Sequence, residues 1–285
     1  MEIKKVGVLG FTGAMGRGIA QICAQAGYQV VGSSRSEERA AKTVGSIDAA
    51  LARSVERGRL SQEDKDAAIN LIKGTANTKD FSDCDLVIEV AVEDLEVKKK
   101  AFAELDAICP KHAILASNTS VLPLVEMAIV TKRPDKVLGL HFFNPASAMK
   151  LVEIVRPITV SDETVEICKK FAESVGKTPV VIPDAPGFIV NRLAVPFMLN
   201  AMYLLENGGA SKEDIDTAAK LGLNHPMGPL ELADLIGNDI VLNMADGIYE
   251  TLQEHRYIAP TLLRRMVAAG WLGQKTGKGF YDYKK

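Results

Sequence analysis

A chain of 285 residues, 47% hydrophobic and 25% charged, has the composition of an ordinary globular protein and the length for one large core or two domains. Its formal net charge of −2 supplies no bulk attraction for nucleic acid or an anionic membrane, so neither is an expected partner. No apolar run approaches a membrane span or a leader, and Cys23, Cys84, Cys109 and Cys168 form no CxxC pair, so a cytoplasmic location is expected.

The chain opens on an apolar strand, expected over 3–9, that runs into Gly10-x-x-Gly13-x-x-Gly16 and then a helix over 15–26. A second strand over 28–33 follows at βαβ spacing. Small residues let a pyrophosphate approach the backbone, and the N-terminus of the helix faces it. Gly10, Thr12, Gly13, Ala14, Met15 and Gly16 are therefore candidate dinucleotide contacts. The spacing is one residue longer than GxGxxG, which leaves a tight turn in another α/β domain as the alternative.

Strand two ends Val31-Gly32-Ser33-Ser34-Arg35-Ser36, with no carboxylate before Glu37. NAD-binding domains usually place an acid there to accept from the adenosine ribose. An arginine flanked by hydroxyls suits a 2′-phosphate instead, so Ser33, Ser34 and Arg35 point to NADP(H). NAD(H) stays open if Arg35 only begins a solvated helix. FAD proteins of this architecture usually need a longer chain and further contacts, which this sequence lacks.

Two helices are expected next, over 36–57 and 62–73, as an arm that delays the return to the sheet. Its Arg53, Arg57, Arg59 and Lys65 read either as a solvated hairpin or as a grip on a phosphate-rich ligand. Further strands are expected at 86–91, 113–116, 137–142, 151–155 and 179–182, with helices over 95–108, 122–130 and 162–175. Pro183-Asp184-Ala185-Pro186-Gly187 is a cluster of breakers and the best domain boundary. Beyond it only helices are expected, over 188–205, 212–221, 229–252 and 259–269, with some breaks. Ser211 and Asp214 stand at capping-box spacing before the second of these. The fold class is thus α/β: a Rossmann-like domain over 1–184, with its arm at about 36–73, followed by an all-helical domain over 185–285. Ligands of open sheets bind at the C-terminal ends of the strands, and catalytic residues are expected in the cleft between the domains.

Four histidines are present, and His141 stands near the end of the strand Val137-Leu138-Gly139-Leu140-His141-Phe142. Its side chain suits a general base that takes an alcohol proton as hydride leaves. Glu153, inside Leu151-Val152-Glu153-Ile154-Val155, is costly there unless paired, and an imidazole is its natural partner. Ser120, after Ala116-Ser117-Asn118-Thr119, and Asn191, early in the helical half, can donate to a ketone or alkoxide oxygen. Taken singly, Ser120 also reads as a helix cap and Asn191 as a polar helix residue. The histidines are scattered, with no HxH or HExxH, so no metal site is expected.

Several longer stretches are more specific: Val87-Ile88-Glu89 through Glu93 and Lys98, Ser117-Asn118-Thr119-Ser120, and Gly139-Leu140-His141-Phe142-Phe143-Asn144-Pro145. Met149-Lys150-Leu151-Val152-Glu153, Pro186-Gly187-Phe188-Ile189-Val190-Asn191-Arg192 and Gly222 through Pro226-Met227-Gly228-Pro229 extend the pattern, as does Gly277-Lys278-Gly279-Phe280-Tyr281. Over essentially its whole length the sequence resembles the 3-hydroxyacyl-CoA dehydrogenase family, especially its short bacterial 3-hydroxybutyryl-CoA members. The resemblance implies reversible oxidation of an (S)-3-hydroxyacyl-CoA to the 3-ketoacyl-CoA, with His141 and Glu153 as base and partner and Ser120 and Asn191 on the substrate oxygen. It implies cofactor contacts at the glycine loop, Glu93, Lys98, Ser120, Asn144 and Lys275, and coenzyme A contacts from the arm at Ser46 and Arg53. It also implies a homodimer formed through the helical domain. The sequence departs from the family twice, in the longer glycine loop and in Ser34, where the family usually has an acid. Two other functions stay open: a dehydrogenase of a small free hydroxy acid on the same fold, and a non-catalytic NADP(H)-binding regulator.

Overall fold

The computed structural model describes residues 1–283, which fall into two compact units, Met1–Asp184 and a second that begins at Ala185. The first unit is built on one eight-stranded sheet: β1 (Lys5–Leu9), β2 (Gln29–Ser33), β3 (Ile72–Thr75), β4 (Leu86–Glu89), β5 (Ile114–Ser117), β6 (Val137–Phe142), β7 (Leu151–Arg156) and β8 (Thr178–Pro183). Their spatial order is β3-β2-β1-β4-β5-β6-β7-β8. All neighbours are parallel except β6 and β7, which are antiparallel. Helices α1 (Ala14–Gln25), α2 (Glu37–Glu56), α3 (Gln62–Asn70), α4 (Leu95–Ile108), α5 (Leu124–Ala128) and α6 (Asp162–Ser174) connect the strands. The chain order reverses between β1 and β4, so their C-terminal ends open a crevice at a topological switch point.

The central strands are apolar because both faces are covered. Val6, Val8, Leu86, Ile88, Ile114 and Ala116 are buried, packed with Ile19, Cys23 and Ile47 from the helices. The arm folds as two helices with Ile47 and Leu51 of α2 in the core, and Lys65 of α3 pairs with Asp48 at 2.5 Å. The helix expected to run to 73 stops at Asn70, and 72–75 form the edge strand β3. The pairing of β3 with β2, from Val30↔Ile72 to Ser33↔Thr75, supplies backbone partners that outweigh the weak strand pattern of Ile-Lys-Gly-Thr. The helix expected over 122–130 is a single short one, α5, whose first two amides are taken by Asp184 at 2.9 and 3.2 Å.

The second unit consists of α7 (Val190–Glu206), α8 (Lys212–Gly222), α9 (Pro229–Ile236), α10 (Asn238–Leu252) and α11 (Thr261–Ala268). Gly237, at φ +111°, divides the stretch expected as one helix over 229–252 into α9 and α10. Two buried carboxylates hold the unit together. Asp216 accepts from the amides of Leu230 and Glu231, capping α9, and from the Tyr281 hydroxyl. Asp234 accepts from the amides of Phe280 and Tyr281 and from the Asn238 side chain. Ser211 caps α8 through the Asp214 amide, at the position its spacing predicts. No described helix is long and apolar enough to cross a membrane.

Candidate active site

At the end of β1 the backbone turns through Gly10 at φ +92°, where a Cβ would stand 2.6 Å from the Val90 carbonyl oxygen. A Cβ on Gly16 would stand 2.5 Å from the Gly10 oxygen. Only glycine fits either place. Gly13 caps α1 without a side-chain bond, and a Cβ there would meet only the Gly10 oxygen at 3.7 Å. Thr12, Gly13 and Ala14 are exposed, Met15 is half-buried and Gly16 is buried. The first turn of α1 thus presents amides with an open approach, the arrangement a pyrophosphate needs. The extra loop residue has a structural outlet. Phe11 is fully buried, its amide donates to the Ser33 oxygen at 3.1 Å, and its ring fills the space over Gly32.

Beside this loop lies a cavity of about 680 Å³ lined by Gly10, Thr12, Gly13, Ser33, Ser34 and Arg35, among others. Arg39, near the start of α2, also lines it, a cation that the sequence reading did not single out. Glu37, the first acid after β2, is turned aside, accepting from the Ala76 amide at 2.6 Å. Ser34 donates to the Ser36 oxygen at 2.6 Å, and Ser36 caps α2 through the Arg39 amide. Cradle, cavity and helix N-terminus together fit a dinucleotide.

At the ends of β5, β6 and β7 a polar chain crosses the sheet. His141 and Glu153 are register partners, both buried, with His141 Nδ1 and Glu153 Oε2 2.7 Å apart. An ionised carboxylate only accepts, so the proton of this bond sits on Nδ1 and the lone pair of the neutral ring is on Nε2. Nε2 lies 3.1 Å from the Ser120 hydroxyl, and Phe143 packs edge-on against the ring. Asn118 accepts from the Phe142 amide at 2.8 Å and so ties the end of β5 to that of β6.

Behind Ser120 stands a second polar cluster. Glu93 accepts from the Ser120 amide at 2.9 Å and from the Thr119 hydroxyl at 2.5 Å. Lys98 is buried, donating to both oxygens of Glu89 at 2.8 and 2.9 Å and standing 3.4 Å from Glu93. Lys98, expected from the family resemblance as a cofactor contact, is in this structure a buried counterion of Glu89. Glu89 is the residue that sequence reading missed. Its signal is the one that singles out Glu153, a carboxylate closing an apolar strand, but its cation lies on the following helix.

The other candidates stand as follows. Asn144 is exposed and precedes Pro145 across a cis peptide bond. Ser46, on α2, donates to the Lys42 oxygen at 2.9 Å. Arg53, Arg57 and Arg59 are exposed, with no ion pair among the described residues. Asn191 lies in the first turn of α7, and Lys275 pairs with Asp239 at 2.5 Å; both belong to the second unit. No cluster of metal-ligating side chains occurs among the described residues.

Residues 5–185 match the model of the 3-hydroxyacyl-CoA dehydrogenase NAD binding domain, and residues 187–283 match that of the C-terminal domain of the same family. The chain is 44% identical to a probable 3-hydroxybutyryl-CoA dehydrogenase of Bacillus subtilis, covering 100% of this chain and 99% of the relative. It is 43% identical to the mitochondrial hydroxyacyl-coenzyme A dehydrogenase of Homo sapiens, over 99% of this chain and 92% of that protein. The crystal structure of (S)-3-hydroxybutyryl-CoA dehydrogenase PaaH1 from Ralstonia eutropha superposes with a TM-score of 0.96 at 41% identity, covering 100% of both chains. With both halves matched and relatives above 40% identity along its length, the chain belongs to the 3-hydroxyacyl-CoA dehydrogenase family.

Proposed function

We propose that this protein interconverts a 3-hydroxyacyl-CoA of S configuration, with 3-hydroxybutyryl-CoA as the preferred substrate, and the corresponding 3-ketoacyl-CoA. The observation that carries this reading is the Ser120–His141–Glu153 chain at the strand ends, with Nδ1 on Glu153 and Nε2 on the Ser120 side. A bound nicotinamide supplies the hydride acceptor in oxidation and the donor in reduction. His141 Nε2 takes the proton of the 3-hydroxyl as hydride leaves the same carbon, and returns it in reduction. Glu153 holds the ring tautomer and balances the imidazolium. The Ser120 hydroxyl steadies the substrate oxygen as its charge changes. The family pattern assigns a second such contact to Asn191, and cofactor contacts to Asn144 and Lys275. Glu93 and Lys98 act on the cofactor side through the turn that carries Ser120.

NADP(H) is our reading of the cofactor within a family whose matched model is an NAD binding domain. It is supported by Arg35 and Arg39 on one cavity, with Glu37 held on the Ala76 amide. The arm takes the coenzyme A phosphates through Arg53 and its neighbours, with Ser46 beside them. A second copy of the chain is the expected partner, through the helical unit. That unit exposes Leu193 at 71% and Leu221 at 82%, beside a groove lined by Phe197, Leu204, Ile215 and Leu223. Sedimentation at working concentration checks this, and a monomer mass overturns it. Four free, buried thiols support a cytoplasmic setting.

Absorbance at 340 nm with acetoacetyl-CoA, free acetoacetate and no substrate tests the reaction. Turnover of the thioester alone is expected. Turnover of free acetoacetate favours a hydroxy-acid dehydrogenase, and cofactor binding without any turnover favours a regulator.

A further inference from the structure

Glu89 is a fully buried charge at the end of β4. Its Oε1 accepts from the Ala91 amide at 2.6 Å, its Oε2 from the Ser117 hydroxyl at 2.7 Å, and both from Lys98. The Lys98 ammonium, which can only donate, spans both oxygens, the arrangement of an ion pair. Glu89 and Lys98 are fully buried, whereas the Glu93 side chain is 41% exposed. The three side chains carry two negative charges and one positive charge. Lys98 sits bidentate on Glu89 and only 3.4 Å from Glu93, so the uncompensated negative charge resides at Glu93.

We propose that the Glu89–Lys98–Glu93 cluster holds one net negative charge at the redox end of the site and thereby favours oxidised over reduced nicotinamide. Glu89 is the positioning residue that keeps Lys98 from neutralising Glu93. The inference rests on the reading above, in which His141 Nε2 serves the oxygen on the reacting carbon. That carbon must come within about 3–3.5 Å of the nicotinamide carbon that exchanges hydride. Glu93 is bonded to the amide of Ser120, whose hydroxyl lies 3.1 Å from Nε2, so its charge is near that ring. The oxidised ring carries a positive charge and the reduced ring none. Adenosine, riboses and pyrophosphate are common to both forms, so their contacts cancel in the ratio of the two dissociation constants. The ratio isolates the charge that the ring feels.

The test is titration of the substrate-free protein with NAD⁺, NADH, NADP⁺ and NADPH, followed by calorimetry or fluorescence. Glu89→Gln and Glu93→Gln each bring the cluster to neutrality. Each is expected to move the oxidised-to-reduced ratio of dissociation constants on the order of tenfold against the oxidised form, the scale of one charge at about 10 Å under an effective dielectric of about 20. The double variant is expected to move it further, and Glu89→Asp to leave it near the wild-type value. Gln matches Glu in size at position 89, and circular dichroism checks the fold. Should Glu89→Gln fail to fold, Glu93→Gln carries the test from a partly exposed position. An unchanged ratio in Glu93→Gln overturns the inference. A shift in Glu93→Gln without one in a folded Glu89→Gln removes Glu89 from the role. A wild-type protein that binds none of the four dinucleotides overturns the cofactor reading itself, an outcome distinct from binding with an unchanged ratio.

Discussion

His141 and Glu153 face each other as register partners across the antiparallel β6–β7 pair, and Nδ1 meets Oε2 at 2.7 Å. The buried carboxylate needs polar partners, and because it is an acceptor it holds the proton of a neutral ring on Nδ1 and the lone pair on Nε2. The antiparallel reversal in an otherwise parallel sheet is what puts the two residues side by side, although twelve positions separate them in the chain.

His141→Gln is expected to lower kcat by about 10²–10⁴-fold, the usual weight of general acid–base catalysis, with the dissociation constant for cofactor nearly unchanged. A variant within about threefold of wild type would take His141 out of this role. Glu153→Gln is expected to lower turnover too, since an amide does not balance an imidazolium. Steady-state rates at saturating acetoacetyl-CoA check both, and wild-type turnover of the second variant would make Glu153 purely structural.

Much of this was legible in the sequence for a physical reason. Glu153 is conspicuous because a charge amid Val152, Ile154 and Val155 demands a partner, and the breaker cluster around Pro183 and Pro186 stands where strands give way to helices. What escaped reading depends on tertiary pairing. Ile72–Thr75 has neither length nor alternation to mark a strand, and forms one because β2 offers its edge. Gly237 looks tolerable within a helix until its backbone is seen at positive φ. Lys177 gives no signal at all, yet its Nζ donates to the Ala146 and Met149 oxygens at 2.5 and 2.7 Å and holds the turn after Asn144.

The buried thiols give an alkaline signature. Burial pushes Cys23 and Cys84 up to about 12 and Cys109 up to about 11 from 9.0, and raises Cys168 as well. Between pH 9 and those values the folded chain keeps protons that the unfolded chain releases. Their contribution is therefore whole below pH 9 and is lost as pH rises through the folded values. Tyr281 and Tyr283, raised by burial beside Asp216 and Asp234, act in the same direction. Lys177, lowered by desolvation, opposes them. Denaturation midpoints are expected to fall above pH 9, and a thiol reagent at pH 8 to leave the native protein unlabelled while labelling all four cysteines in denaturant. Prompt labelling of the native chain would contradict the burial.

The arm leaves Arg53, Arg57 and Arg59 exposed, whereas Lys65 is committed to Asp48. If the arginines grip the phosphates of coenzyme A, replacing all three with alanine raises KM for acetoacetyl-CoA and leaves KM for the nicotinamide unchanged. Exposed contacts are screened, so the difference from wild type is expected to shrink in high salt. An unchanged KM at low salt assigns the arm another task.

The proposed preference for NADP(H) rests on the end of β2. Specificity is a difference of two affinities, so the missing carboxylate matters as much as the added cations. Ser34 stands where the family resemblance leads one to expect an acid, and Glu37, the nearest one along the chain, accepts from the Ala76 amide. Arg35 and Arg39 line the cavity from the start of α2, and Ser36 caps that helix. NADPH is therefore expected to exceed NADH in kcat/KM. Ser34→Asp places an acceptor for the ribose hydroxyls and repels a 2′-phosphate, while Arg35→Ala removes an attraction. Together they are expected to move the preference toward NADH by one to several powers of ten, at roughly 1.5–3 kcal/mol per charged hydrogen bond. Arg39→Ala alone is expected to weaken NADPH and spare NADH. The longer glycine loop does not block this pocket, because Phe11 is buried over Gly32 and only Thr12 and its neighbours reach the cavity. Parallel kinetics with both reduced cofactors settle the matter: a wild-type enzyme that prefers NADH defeats the reading and leaves Arg35 and Arg39 as solvated residues at a helix start.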